Sequence, residues 1–275
     1  MIVNDLIDKY SASSRYTSLA SSSKETYMYA MNYISKAFGD LDAAAVKRSD
    51  IIKLQTELDD RPGTANLVVR VASIIFEYGV DLDAIPFNPA ARLKKLKNGS
   101  HKKWEPKEVA TAIAQCDRKV ATAVALAWYT GQRECDVLNM RWCDIDDGYI
   151  KLVQRKTNVE MKIKMHSDLV SYLNGVRGDE PDGHYIVSGK TRMNGPAFRN
   201  MFRRRMDKLG STKVFHGIRK GVASSISEKG ASIKEIAAMM GHKSLRMAAY
   251  YAEQADNVTL RESAVDCLPS VRVSD

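Results

Sequence analysis

A chain of 275 residues holds enough material for one or two domains with a real core. Its 44% hydrophobic and 27% charged residues are ordinary for a soluble globular protein, and the longest apolar run, around Val120–Trp128, falls well short of the ~20 residues a membrane span needs. The net charge of +9 favours a polyanionic partner. That charge is uneven: residues 1–100 carry 13 Lys+Arg and 12 Asp+Glu, leaving +8 for the remainder. Four cysteines, Cys116, Cys135, Cys143 and Cys267, form no CxxC pair, which argues against structural zinc and for free thiols in a reducing cytosol. No signal peptide is visible, so a cytoplasmic protein is expected.

In chain order, VNDLIDKY reads as a helix and SASSRYTSLASSS as a Ser-rich connector. Ser22 and Glu25 make a capping-box pattern ahead of a periodic run from Tyr27 to Phe38. Two more helical patterns, Ser49–Leu58 and Thr64–Tyr78, complete a small four-helix bundle. Pro86 and Pro89 then break the pattern, and RLKKLKNGSHKKWEPKE follows with Arg92, Lys94, Lys95, Lys97, Lys102, Lys103 and Lys107. A charge run alone fits a solvated loop. Between two domains it also fits a basic strap on duplex DNA, with Lys94, Lys95, Lys97, Lys102 and Lys103 on backbone phosphates. The expected division is 1–97, a linker at 98–104, and a second domain from 105 to 275.

The second domain mixes types. Pro106–Gln115 and Lys119–Tyr129 read as helices. Tyr149–Val153 and Val159–Met165 alternate as strands around a turn at Lys156–Asn158, and helix returns from about Pro196 to Glu253. The expected class is mainly α with a small β component: an N-terminal helical bundle and a mostly helical α+β domain.

Three segments carry groups suited to a phosphate. In TGQRECDVLNMRW, Arg133 opens a helix with Val137, Leu138 and Met140 on its apolar side, and Asp136 lies one turn on, where it can orient the guanidinium. A surface salt bridge fits the same residues. In FHGIRKG, His216 and Arg219 share a helix face at i, i+3, a spacing that a capped helix with a surface arginine also shows. In MMGHKSLRMAAYYAE, His242 follows a glycine helix stop, and Tyr250 and Tyr251 come eight and nine residues later. The acidic cluster Asp144, Asp146 and Asp147 suits either a two-metal nuclease or simple turn residues before Tyr149, the second being favoured.

Together these segments resemble the tyrosine recombinase (phage integrase) family. TGQRECDVLNMRWCDIDDGYIKLVQRKT is similar to the family's arginine box, hairpin and lysine turn, FHGIRK to its HxxR box, and MMGHKSLRMAAYYA to its histidine-to-tyrosine stretch. The resemblance is strong over about 104–253 and pattern-level over the first 90 residues, which look like a SAM-like core-binding bundle. It implies that Arg133 and Arg219 clamp the scissile phosphate, that His216 and His242 add donors, and that Lys156 protonates the leaving 5′ oxygen. It implies Asp136 in support, where many relatives carry Glu, and Tyr251 as nucleophile, forming a covalent 3′-phosphotyrosyl intermediate. Neither metal nor ATP is implied. The implied partners are double-stranded DNA, three further copies of the chain in a tetramer joined by docking of the C-terminal tail (Val258, Leu260, Val265, Leu268), and accessory DNA-bending or directionality proteins.

A second basic stretch, Arg199, Arg203, Arg204, Arg205, Lys208 and Lys213, is expected on one helix with some phosphate contacts. Some members carry an extra N-terminal arm-binding domain, which is expected to be absent here. The rivals are a type IB topoisomerase, which shares the chemistry, and a non-cleaving DNA-binding regulator on the same fold.

Overall fold

A computed structural model describes residues 1–252, apart from the side chains of Met247, Tyr250, Tyr251 and Ala252. The chain divides into two compact units, 1–100 and 101 onward.

The first unit is helical: α1 (Val3–Ala12), α2 (Ser14–Thr17), α3 (Ser21–Phe38), α4 (Arg48–Thr56) and α5 (Pro62–Asp81), with a 3-10 turn at Ala43–Ala45. Pro62 starts α5 because the first turn has no use for its missing N–H. Leu6, Ile34, Ile51, Ile75 and Phe76 are fully buried in one cluster. Two expectations change. The Ser-rich connector is partly helical, since α1 runs to Ala12 and α2 follows. The Ser22–Glu25 capping box does not form: α3 already begins at Ser21 behind Ala20, with no side-chain cap, and Ser22 Oγ lies inside the first turn.

The second unit contains α6 (Pro106–Gln115), α7 (Arg118–Thr130) and the single-turn α8 (Glu134–Val137). A three-stranded antiparallel sheet follows, β1 (Ile145–Asp146), β2 (Tyr149–Val153) and β3 (Glu160–Lys164), in the order β1-β2-β3 with Ile150 opposite Ile163. Then come α9 (Ser167–Arg177), α10 (Gly195–Lys208), α11 (His216–Glu228), α12 (Ile233–Met240) and α13 (Leu245–Ala252). The sequence reading missed β1, too short to show alternation, and α9, whose Gly and Asn weaken its helical signal.

The stretch read as a linker at 98–104 is split by this division, and its last residues belong to the second unit. Trp104 is 1% exposed, and its indole donates to the Val214 carbonyl at 3.0 Å. A Cβ on Gly217 or Gly221 would come within 2.3 Å of the Lys102 or Trp104 carbonyl oxygen. Only glycine lets the 102–104 backbone lie this close to α11. Lys103 pairs with Glu228 at 3.2 Å and Glu105 at 3.4 Å, so its charge is committed within this unit. Lys94, Lys95, Lys97 and Lys102 are exposed.

Candidate active site

Two helix ends frame the site. Helix α7 starts on Asp117, whose side chain accepts from the Val120 amide, and stops at Gly131. Helix α12 starts in a Ser232–Glu235 capping box and stops at Gly241 with φ +61°, a left-handed position that suits glycine. The carbonyls left unpaired by the ends of α7 and α12 become acceptors. Arg219, from α11, is 3% exposed and donates to the carbonyls of Gly131 and Met240, both at 2.5 Å.

Arg133 is the N-cap residue of α8 and donates from one Nη to Gln154 Oε1 at 3.0 Å. Gln154, just after β2, is fully buried and donates to the Met240 carbonyl at 3.0 Å and to Gln132 Oε1 at 2.6 Å. Both arginines are therefore held, directly or through one amide, on the end of α12. His242 follows two residues later, its backbone amide bonded to the Ala237 carbonyl.

The electrostatics join the same groups. The pKa of His242 is pushed down to about 4 by burial, then by the Arg219 and Arg133 charges. His216 opens α11 and keeps an exposed edge, with its ring 5.7 Å from that of His101. Its pKa is also lowered, first by desolvation, then by His101, Arg219, Arg133 and Lys220. Both imidazoles feel both arginines, so the four groups form one electropositive cluster. At neutral pH the two histidines are uncharged, and an arriving anion would favour their protonation.

Asp136 is 2% exposed, but its partner is not Arg133 as the sequence suggested. Its Oδ1 accepts from the Arg155 amide at 2.9 Å, which pins the β2–β3 turn to α8. Lys156 lies in that turn and is exposed. Gln154 takes over the orienting of Arg133. Sequence reasoning missed Gln154 and Gln132, although both stand inside the quoted boxes, because an amide between charged residues gives no periodic or charge signal.

Helix α13, which carries Tyr250 and Tyr251, packs on α11 and α12, the helices bearing or leading to His216, Arg219 and His242. The tyrosine side chains and the tail residues Val258, Leu260, Val265 and Leu268 lie outside the described residues. The basic stretch of α10 is partly neutralised: Arg199 pairs with Glu134 at 2.6 Å and Arg205 with Asp117 at 2.5 Å. Lys213, beyond the end of α10, pairs with Glu108 at 2.8 Å. Arg203, Arg204 and Lys208 are exposed, with no ion pair among the described residues. Asp144 accepts from the Arg141 amide, and Asp146 pairs with Lys151, as turn and strand residues do. Among the described residues no three His, Cys, Asp or Glu side chains converge as metal ligands, and no helix is long and apolar enough to cross a membrane.

This fold and this cluster match one class of protein. The chain belongs to the phage integrase family, whose sequence model matches residues 102–257. It is 28% identical over 151 residues to a probable integrase/recombinase protein of Methanocaldococcus jannaschii, covering 50% of this chain and 46% of that one. Matches to the curated relatives span between 40% and 69% of their lengths. Among solved structures, a fragment of lambda integrase, as a dimer bound to a COC′ core site, superposes with a TM-score of 0.81 at 21% identity, with 100% of both chains covered. A lambda integrase tetramer bound to a Holliday junction gives 0.80 at 22% identity, covering 91% of this chain and 77% of that one.

Proposed function

We propose that this chain is a site-specific tyrosine recombinase that cuts and rejoins duplex DNA through a covalent 3′-phosphotyrosine. The observation that carries the reading is the shared mounting of Arg133, Arg219 and His242 on the end of α12, with His216 in the same field.

In this reading the two guanidiniums take the nonbridging oxygens of the scissile phosphate, and the imidazoles add hydrogen bonds as charge builds on them. The Oη of Tyr251 attacks phosphorus and gives up its proton, the bond to the 5′ oxygen breaks, and Lys156 supplies the proton that oxygen needs. Free tyrosine, with a pKa near 10, is only about 0.1% phenolate at neutral pH, so surrounding cations are needed to favour attack. Tyr251 is chosen because it stands nine residues after His242, the spacing of the family this chain resembles; adjacent helix positions point about 100° apart, so Tyr250 cannot share the role. The phosphodiester energy is kept in the phosphotyrosine, so attack by a 5′-hydroxyl reverses the step without ATP. The cations present also neutralise the phosphate without calling on a metal.

Double-stranded DNA is the proposed substrate. A tetramer on paired sites is the proposed assembly, supported by the fold shared with the tetrameric lambda integrase. Docking of the tail on a neighbouring copy and the use of accessory DNA-bending or directionality proteins belong to the same proposal. Lys94, Lys95, Lys97 and Lys102 are proposed backbone contacts, while Lys103 is set aside because of its ion pairs.

The test traps covalent complexes with SDS on supercoiled DNA in EDTA, comparing wild type with Tyr250→Phe and Tyr251→Phe. A 3′-linked adduct lost only in Tyr251→Phe is expected. Adduct formation by Tyr251→Phe overturns the nucleophile, and a strict metal requirement overturns the chemistry. Relaxation without pairing of two sites would make the protein a topoisomerase instead.

A further inference from the structure

Gln154 is a fully buried amide in the middle of a cluster of cations, and all four of its hydrogen-bonding positions are used. Oε1 accepts from Arg133 at 3.0 Å and from the Thr157 hydroxyl at 2.6 Å. Nε2 donates to Gln132 Oε1 at 2.6 Å and to the Met240 carbonyl at 3.0 Å. A guanidinium only donates and a backbone carbonyl only accepts, so the amide fits in one orientation. Gln132, 1% exposed, is fixed in the same way, because its Nε2 donates to the carbonyls of Thr130 and Met239 at 2.9 and 3.2 Å. There is no room to slip: a Cβ on Gly241 would sit 2.3 Å from Gln154 Nε2.

This one side chain touches three separately encoded parts of the site. These are Arg133 at the start of α8, the turn that carries Lys156 (through Thr157), and the end of α12, which Arg219 also grips and from which His242 follows. A neutral amide suits this place. A carboxylate would pair with Arg133 and draw its charge away from an incoming phosphate. An apolar side chain would leave Arg133 unaimed and the Met240 carbonyl short of a donor.

We infer that Gln154 is the positioning residue of the site, which holds one Nη of Arg133 so that the rest of the guanidinium is left for phosphate, and locks Arg133, the Lys156 turn and the His242 segment into one unit, with Gln132 as its brace. This rests on the recombinase reading for its catalytic consequence but not for its structural one.

The experiment uses the full chain as wild type, Gln154→Glu and Gln154→Leu. The probe is a nicked suicide duplex bearing the sequence that wild type enriches from random DNA. Binding is read by titration, cleavage by single-turnover adduct formation at saturating DNA, and the anchoring of Arg133 by its slowly exchanging Nη–H resonances in DNA-free protein. Both variants are expected to bind DNA within about threefold of wild type and to cleave about 100-fold more slowly at pH 8, as misplacement of a reacting group predicts. The Arg133 resonances should broaden or vanish in Gln154→Leu.

Gln154→Glu supplies a signature that a merely structural role would not produce. Its buried carboxyl faces two acceptors, Gln132 Oε1 and the Met240 carbonyl, so its protonated form restores one of the two lost donors and its ionised form neither. Its rate relative to wild type should rise about tenfold as pH falls from 8 to 5.5, whereas the Gln154→Leu deficit stays flat. Cleavage by either variant at the wild-type rate overturns the inference, as does a Gln154→Glu deficit with no such limb. Failure of wild type itself to form an adduct sinks the recombinase reading, and the Arg133 resonances still decide the anchoring.

Discussion

The two units bury different things. Among the described residues of the first unit, the one buried polar side chain is Gln55, which donates to the Lys94 carbonyl at 3.0 Å, and the rest of its core is aliphatic and aromatic. The second unit buries Thr122, Thr130, Gln132, Asp136, Gln154, Arg219, Lys220, Ser224 and Ser227 as well as a larger apolar cluster. Burying charge and amides costs free energy unless every group is bonded. A core that is only structural has no reason to take that cost, and the first unit does not. In the second, most of these groups lie on or between the ends of α7 and α12 and the start of α11, where the basic cluster forms. Polar burial marks the site, and the comparison predicts which substitutions hit chemistry and which hit only stability.

The largest effect should come from Arg219. Replacement by Ala removes a cation from the site, takes the side-chain donor from the buried Gly131 carbonyl and leaves the Met240 carbonyl with its bond from Gln154 alone. Adduct formation should fall about 1000-fold or more, and stability by about 2–4 kcal/mol. Arg219→Lys should not restore activity, because an ammonium cannot span both carbonyls and a phosphate as a planar fork does. Adduct assays with thermal melts check this; an active Arg219→Ala would break the link between polar burial and function.

Phe76 tests the opposite side. It is fully buried in the first unit's apolar cluster, and Phe76→Ala should cost about 3–5 kcal/mol of that unit's stability. All three tryptophans, Trp104, Trp128 and Trp142, lie in the second unit. Urea melts should therefore show an earlier transition by circular dichroism while the tryptophan midpoint stays in place. A matching shift in both signals would mean that the two cores do not report separately.

His242 gives a smaller effect with a definite sign. Its folded pKa, about 4, lies below the unfolded imidazole value of about 6.5. The folded state thus binds fewer protons, so His242 leaves stability untouched above about pH 6.5. It erodes stability as pH falls from there towards 4. A bound phosphate reverses the local field, so DNA binding should raise the pKa by at least about one unit and take up protons in that window. Imidazole NMR titration with and without duplex tests this; a free-protein midpoint near 6.5 would remove the cluster's influence on His242.

Much of this was legible in the sequence, for identifiable reasons. Helix α6 and strand β2 have the residue ranges expected, since Pro106 and the alternation in YIKLV are strong local signals. Arg133, His216, Arg219 and His242 were singled out because their boxes resemble one family in order and spacing, and the structure brings the four into one cluster. What was missed depends on three-dimensional closure. Asp136 is one turn from Arg133 in sequence, yet it bonds the Arg155 amide, because the β2–β3 turn folds back over α8. Ser22 and Glu25 have the spacing of a cap, but α3 begins two residues earlier than that cap would place it, with Ala20 at the N-cap. Lys103 reads as a free strap lysine until α11 brings Glu228 to it. Local spacing cannot announce a partner 125 residues away.

The finest test of the comparison is Thr157, at the edge of the buried network rather than inside it. Its hydroxyl donates to Gln154 Oε1 at 2.6 Å and so supports the atom that holds Arg133. Thr157→Val keeps the shape and the β-branch while deleting that one donor. Oε1 keeps its bond from Arg133, so no buried acceptor is left bare, and the loss should be about 1 kcal/mol. In cleavage this corresponds to roughly fivefold, with DNA affinity unchanged. A loss as large as that of Gln154→Leu would mean that the turn, and not the amide, holds the guanidinium. No loss at all would mean that the Lys156 turn is coupled to the site through the Asp136–Arg155 bond alone, which Asp136→Ala in the same background, lacking the acceptor, would then expose.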